Sequence, residues 1–123
     1  MTRLCILFII GAFGYGFLEI LWRGYTHWTM LILGGICFLL LFFVFNKLKT
    51  TSVIIKAIIG GAIITSAEFI TGLIVNIILK WNVWSYASSP FNILGQICPV
   101  YSLLWIFLSI PLVYFCKLIS KYI

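Results

Sequence analysis

Acidic residues are almost absent from this chain of 123 residues, since Asp and Glu together number two and charged residues make up only 8%. Soluble globular domains and disordered chains both carry far more charge, so both classes are excluded. Hydrophobic residues account for 64% of the chain, which indicates an integral membrane protein. At about 20 residues per transmembrane helix, the length has room for four spans and no soluble catalytic domain. We therefore expect a single four-helix transmembrane domain over residues 1–123.

Four apolar segments follow one another along the chain, and short polar links separate the first three. They run over Leu4–Trp22, Trp28–Phe45, Val53–Leu79 and Ile97–Cys116. Each is long enough to cross the hydrocarbon core of a bilayer as a helix. The fourth contains Pro111, where we expect a kink.

The longest irregular stretch, Lys80–Gln96, separates the third and fourth segments. Trp and Tyr settle at membrane interfaces, while Ser, Pro and Asn interrupt helices. We therefore predict an aromatic cap on, or dipping into, one face of the bundle, formed by Trp81, Trp84, Tyr86, Pro90, Asn92 and Gln96.

The basic residues are distributed unevenly between the two sides of four spans. Six fall on the side that holds both termini: Arg3, Lys47, Lys49, Lys56, Lys117 and Lys121. Only Arg23 and Lys80 fall on the other side. Because basic residues are concentrated in cytoplasmic loops, we expect a plasma (inner) membrane protein with both termini cytoplasmic. The net charge of +6 is then explained by the bilayer as a partner and not by nucleic acid.

Two short sequences resemble each other across the halves of the chain. Ile32–Cys37 reads I-L-G-G-I-C and Ile93–Cys98 reads I-L-G-Q-I-C, while Glu19 in the first span has a counterpart in Glu68 of the third. Both halves would begin on the cytoplasmic side. This pattern favours two parallel two-helix repeats related by an axis along the membrane normal.

Glu19 and Glu68 are the only acidic residues, and both lie inside predicted spans. A carboxylate at membrane depth costs at least a few kcal/mol, so it usually faces the bundle interior with a partner. Arg23 follows Glu19 by four residues, the favourable order for an intrahelical ion pair, and packing the spans together would let Arg23 bridge both carboxylates. Small and polar residues continue these helix faces. We predict a substrate or ion pathway lined by Glu19, Arg23, Thr65, Glu68, Asn76, Ser102 and Trp105.

Two interpretations of this polar centre stay open from the residues alone. A solute or proton site would use Glu68 directly, whereas a purely structural cluster would hold the helices together and satisfy its own charges. The spans contain no arrangement typical of a hydrolase or of a metal site, so we expect no catalytic residues, no metal and no cofactor. We accordingly do not expect an enzyme.

The stretches Glu19–Leu40 and Glu68–Ser109 resemble the bacterial ABC-transporter type IV (CmpB-like) family, and animal transmembrane protein 229 is similar. The most specific blocks are E-F-I-T-G from Glu68 and W-S-Y-A-S-S-P-F-N-I-L-G-Q-I-C from Trp84. One departure is Ser85, where the family usually has an aspartate. The resemblance implies a transporter or permease component. The chain has no phosphate-binding G-x-x-x-x-G-K-[ST] loop, so any ATP would be hydrolysed by a separate ATPase subunit.

The sequence thus predicts an all-α membrane protein that acts as a component of a transporter. One copy encloses little space, so we expect a homodimer or another membrane subunit as partner. The alternative is a non-transporting scaffold or regulatory subunit whose buried Glu and Arg residues are structural. The two hypotheses differ in what Glu68 does.

Overall fold

The computed structural model describes residues 2–48 and 50–122 and is all-helical. The helices are α1 (Thr2–Arg23), α2 (Trp28–Lys47), α3 (Val53–Gly72) and α4 (Pro99–Ser120), and a π-helical turn, Leu73–Ile78, continues α3. All four, with α3 taken through Ile78, are long and apolar enough to cross a membrane. The predicted four-helix, multi-pass architecture is therefore confirmed. Pro111 lies inside α4, where the kink stays a prediction.

Two of the differences from the predicted helix boundaries change the local structure, and the others only move helix ends by a few residues. The end of the third segment is a π-helical turn instead of regular α-helix. The fourth helix begins at Pro99 and not at Ile97, because Ile97 forms an isolated bridge with Ile93. Proline is favoured in the first turn of a helix, where its missing N–H would have no partner.

The chain divides into two compact units, and the expected single domain stays a prediction. The first unit comprises residues 1–47 and 116–123, and therefore contains α1 and α2. In this hairpin a Cβ atom added to Gly11 would collide with Phe38 and lie 2.8 Å from the carbonyl oxygen of Gly34. A Cβ added to Gly34 would lie 3.0 Å from the carbonyl oxygen of Gly11. The two backbones approach so closely that neither position has room for a side chain.

The short link between α1 and α2 caps both of the helix ends that it joins. Gly24, at φ 83°, follows the last residue of α1, and its N–H donates to the carbonyl of Ile20 at 2.8 Å. A left-handed residue after a helix is usually glycine, which pays no Cβ penalty there. At the other end, the N–H of Thr29 donates to Nδ1 of His27 at 3.2 Å. His27 therefore satisfies one of the free N–H groups at the start of α2.

The second unit, residues 48–115, contains α3, most of α4 and the segment between them. Ser52 caps α3 by accepting a hydrogen bond from the N–H of Ile55 at 3.4 Å. A Cβ added to Gly61 of α3 would collide with the side chain of Ile106 and lie 3.1 Å from its backbone nitrogen, so α3 packs directly on the backbone of α4. Lys49, one of the residues counted for orientation, lies outside the described residues.

Residues 79–98, here called the α3–α4 connection, fold without regular helix. The N–H of Tyr86 donates to the carbonyl of Gly95 at 2.7 Å, and the N–H of Ile93 donates to the carbonyl of Ile97 at 3.0 Å. Four of its non-glycine residues adopt positive φ angles between 53° and 58°: Lys80, Asn82, Phe91 and Leu94. Such conformations are costly for residues with a Cβ atom and persist only where the surrounding contacts impose them.

Candidate functional site

The carboxylate of Glu68 lies in α3 and is only 2% exposed. The hydroxyl of Tyr86, in the α3–α4 connection, donates to Oε2 of Glu68 at 3.1 Å. The indole N–H of Trp105, in α4, donates to Oε1 at 3.3 Å. Each oxygen of the carboxylate thus accepts a hydrogen bond from a neutral aromatic donor on a different element. With Tyr101, described next, these residues form the Glu68 cluster.

Tyr86 is held in place by contacts on two sides. Its ring stacks on the ring of Tyr101, with centroids 4.8 Å apart and planes inclined by 30°. Burial first, and then the neighbouring Glu68 carboxylate, raise the pKa of the Tyr86 hydroxyl well above its usual range. Both causes disfavour a phenolate, so Tyr86 remains a donor to Glu68 at any ordinary pH.

This raised pKa gives a spectroscopic prediction. Exposed tyrosines ionise at about pH 10. Because the pKa of Tyr86 is raised well above this value, Tyr86 should not contribute to the tyrosinate absorbance that develops at that pH in the folded protein. Tyr86→Phe should therefore leave that absorbance change unaltered, although it removes one of six tyrosines. In the unfolded chain the Tyr86 hydroxyl loses its proton at about pH 10, whereas in the folded protein it keeps that proton. The free energy of unfolding should therefore fall as the pH rises above that value. A loss of one tyrosine from the folded-state titration of Tyr86→Phe would contradict the prediction.

A pair of hydroxyls lies beside the Glu68 cluster on the same two helices. Thr65 precedes Glu68 by three residues on α3, and Ser102 precedes Trp105 by three on α4. The hydroxyl of Thr65 donates to that of Ser102 at 3.2 Å. Because residues three apart share a helix face, α3 and α4 are joined by two polar contacts, one turn apart. The hydroxyl of Ser109, fully buried, donates instead to the carbonyl of Trp105 in its own helix at 2.8 Å.

Two amide side chains attach the α3–α4 connection to the end of α3. Oδ1 of Asn76 accepts hydrogen bonds from the N–H groups of Val83, at 2.7 Å, and Trp84, at 3.3 Å. Nδ2 of Asn76 donates to Oε1 of Gln96 at 2.7 Å. The carbonyl of Gln96 accepts from the indole N–H of Trp84 at 3.1 Å. We call Asn76 and Gln96 the amide clamp, since Asn76 bonds to Val83 and Trp84 near one end of the connection and to Gln96 near the other.

The local backbone explains why these amides meet. Asn76 lies in the π-helical turn, and such turns change the direction of side chains relative to a regular α-helix. Gly72 leaves room for the partner, because a Cβ atom there would lie 2.5 Å from Oε1 of Gln96. The clamp therefore requires both a glycine and a widened helical turn at the end of α3.

Glu19, the other carboxylate, belongs to the first unit and has different partners. Its Oε2 forms an ion pair with Nε of Arg23 at 2.6 Å, and its Oε1 accepts from the hydroxyl of Tyr15 at 2.9 Å. The guanidinium of Arg23 also lies 4.7 Å from the ring centroid of Tyr25. The expected pair between Glu19 and Arg23 is thus present, while the bridge from Arg23 to Glu68 stays a prediction.

The structure brings together, around Glu68 and at the clamp, most of the residues that the sequence singled out. Trp81 belongs to the same unit and is attached to the end of α3 through its backbone. Its N–H donates to the carbonyl of Val75 at 2.8 Å. Asn92 orders the connection internally by donating to Ser89 and accepting from Gly95, each at 2.9 Å. Pro90 lies in the turn between them. Whether these residues line a pathway stays a prediction.

Two aromatic residues near the glutamates were missed from the sequence: Tyr101, which stacks on Tyr86, and Tyr15, which donates to Glu19. Tyr101 precedes Trp105 by four residues, and Tyr15 precedes Glu19 by four. Residues four apart lie on the same helix face, so both were detectable from spacing once the acidic residue or its partner had been identified. No group of three or more potential metal ligands occurs within residues 2–48 and 50–122.

A family described as "Putative ABC-transporter type IV" matches residues 5–123, which is nearly the whole chain. No curated protein and no solved structure matches the chain.

Proposed function

Because the chain belongs to the ABC-transporter type IV family, we propose that it is a membrane subunit of a transport system and that Glu68 binds the transported solute or proton. The observation that carries this proposal is the burial of Glu68 in a span, with Tyr86 and Trp105 donating to its two oxygens. A carboxylate at membrane depth is costly, and such residues commonly mark ion and substrate pathways. The role proposed is binding and transport, not catalysis.

The arrangement of elements around Glu68 supports a site rather than a simple helix contact. Two of the three elements that meet there are helices, but Tyr86 belongs to a connection with left-handed backbone at four non-glycine residues. Strained backbone is found disproportionately at ligand clamps and switches. A cluster that only joined α3 to α4 would not need this third element.

The proposal includes an orientation and a place for the connection. The bias of basic residues toward one side favours cytoplasmic termini in the inner membrane. The α3–α4 connection then lies at the outer interface as an aromatic cap. Trp81, 47% exposed, and Phe91, 87% exposed, would contact the headgroup region there.

The proposal also includes partners. Four spans enclose too little space for a path by themselves, so a second copy or another membrane subunit would complete it. A separate ATPase would supply the energy if transport is driven by ATP, because this sequence lacks a phosphate-binding loop. The proposal keeps two parallel two-helix repeats, which rest on the matched sequence motifs alone.

The second candidate function is structural, in a scaffold or regulatory subunit without transport. The 2.6 Å ion pair between Glu19 and Arg23 favours it, because a carboxylate with a cation on its own helix already has a static partner. The two candidates make opposite predictions for Glu68.

The test compares wild type, Glu68→Gln and Glu19→Gln as detergent-purified full-length proteins. The melting temperature of each is measured from mildly acidic to mildly alkaline pH and against a panel of solutes. A binding site predicts that wild type and Glu19→Gln respond to pH or to a solute, whereas Glu68→Gln stays folded and no longer responds. If wild type responds to nothing and Glu68→Gln melts early, Glu68 is structural and the transport site is refuted.

A further inference from the structure

We propose that the ligand of the Glu68 cluster is an organic cation with an ammonium group, and that an N–H donor of this group competes with the Tyr86 hydroxyl for the same oxygen of Glu68. The inference rests on the proposed function and names the class of solute that this site would bind. It is carried by three features of the second unit: the acceptor at its centre, the rings around it, and the segment that supplies one of the donors.

The first feature is the chemistry of the acceptor. An ionised carboxylate accepts hydrogen bonds and donates none, so a ligand that reaches Glu68 must bring donors. In the structure the Tyr86 hydroxyl and the Trp105 indole N–H are two such donors. Glu68 is also the only acidic residue between positions 48 and 115. A cation entering this unit has a single carboxylate to bind.

The second feature is the aromatic surroundings. The rings of Tyr86 and Tyr101 stack on each other, and Trp105 presents its indole N–H edge to the carboxylate from α4. Glu68 is only 2% exposed among them, and the attraction between opposite charges grows when both are removed from water. A carboxylate in these surroundings attracts an ammonium group more strongly than a neutral solute and repels an anion.

The third feature is that the two donors are anchored differently. Trp105 lies within α4, where the helix backbone determines its position. Tyr86 lies in the middle of the α3–α4 connection, between the residues that the amide clamp holds on either side, Trp84 and Gln96. Asn82, Phe91 and Leu94 on either side of Tyr86 adopt left-handed backbone conformations. The Tyr86 hydroxyl is therefore the donor that a ligand can replace, at the cost of the ring stack on Tyr101, while the hydrogen bond from the Tyr86 N–H to Gly95 and the amide clamp keep the connection attached.

Replacement of one donor by another keeps the carboxylate satisfied throughout. A buried charge left without a partner costs several kcal/mol, so a site that exchanges partners avoids that cost. The Tyr86 hydroxyl remains protonated, because burial and Glu68 raise its pKa. It can thus return to Glu68 whenever the ligand leaves.

The experiment measures the melting temperature of the purified full-length protein at neutral pH with three probes: benzylammonium, benzyl alcohol and tetramethylammonium. Benzyl alcohol matches benzylammonium in shape without the charge, and tetramethylammonium carries the charge without an N–H donor. We expect benzylammonium to raise the melting temperature most, tetramethylammonium less, and benzyl alcohol not at all. Equal effects of benzylammonium and benzyl alcohol would overturn the inference.

Three variants assign the effect to residues. Glu68→Gln should abolish the benzylammonium effect, while Glu19→Gln, the matched change at the other span carboxylate, should retain it. Tyr86→Phe keeps the ring and removes the competing hydroxyl, so binding should tighten about threefold to tenfold, the value of one neutral hydrogen bond. Weaker binding by Tyr86→Phe would overturn the exchange of donors. Tyr86→Phe and the series of probes on the wild type test the inference even if Glu68→Gln does not fold.

The outcomes separate this inference from the proposed function. If pH shifts the wild-type melting temperature through Glu68 and no ammonium probe does, the site binds protons and the ammonium inference fails alone. If neither pH nor any solute acts and Glu68→Gln melts early, both fail together.

Discussion

Replacing Asn76 with leucine should detach the α3–α4 connection from α3 and lower the stability of the second unit by roughly 3 kcal/mol or more. The substitution preserves approximate size but removes the acceptor that the backbone N–H groups of Val83 and Trp84 share, and the N–H donor to Oε1 of Gln96. Val83 and Trp84 are buried, so water does not readily replace the lost acceptor. Each unsatisfied buried group costs about 1–3 kcal/mol.

Amide hydrogen exchange provides the measurement, because the affected N–H groups are known. The amides of Val83 and Trp84 should exchange much faster in Asn76→Leu than in wild type. Asn46→Leu, the same chemical change near the end of α2 at a half-buried position, should leave them unchanged. If the amides of Val83 and Trp84 keep wild-type protection in Asn76→Leu, the amide clamp does not hold the connection.

A leucine at Gly11 should disrupt the α1–α2 hairpin, with an expected loss of about 3 kcal/mol or more, at the upper end of measured overpacking effects. Even a single Cβ atom there would collide with Phe38 and lie 2.8 Å from the Gly34 carbonyl oxygen. A backbone oxygen cannot rotate away as a flexible side chain can. The helices would have to separate, and the close packing on which helix association in membranes depends would be lost.

Gly14 offers a matched control on the same helix. It is exposed, and a Cβ atom added there would meet nothing within 4 Å. Gly14→Leu should therefore keep the wild-type melting temperature in detergent, whereas Gly11→Leu should melt far earlier or fail to accumulate. Equal losses in the two variants would show that the hairpin does not depend on the contact between Gly11 and Gly34.

The four helices were predictable because crossing a bilayer requires about 20 consecutive apolar residues, a requirement visible in local composition. The predicted starts of the second and third spans, at Trp28 and Val53, coincide with those of α2 and α3. The π-helical turn at Leu73–Ile78 was not predictable. Its sequence is as apolar as the rest of α3, and the turn satisfies contacts that Asn76 makes with residues up to 20 positions away.

The candidate site was predictable to a similar degree. Glu68 stood out because an acidic residue within an apolar segment is costly, and Ser102 and Trp105 followed from helical spacing. The sequence alone placed Tyr86 in an aromatic segment, without indicating that its hydroxyl would donate to Glu68. That contact joins residues 18 positions apart across an irregular connection, and no local pattern encodes such a distance.

The amino-acid sequence by itself therefore determined the membrane-spanning character, the number of spans, and the positions at which polar groups enter them. These properties depend on transfer free energies that each segment has separately. The tertiary structure alone decided which donors reach Glu68, how Asn76 and Gln96 attach the connection, and where Gly11 and Gly34 let two backbones meet. Hydrogen bonds and close packing depend on distances of a few ångströms between residues far apart in the chain, and these distances exist only after the helices and the connection have packed.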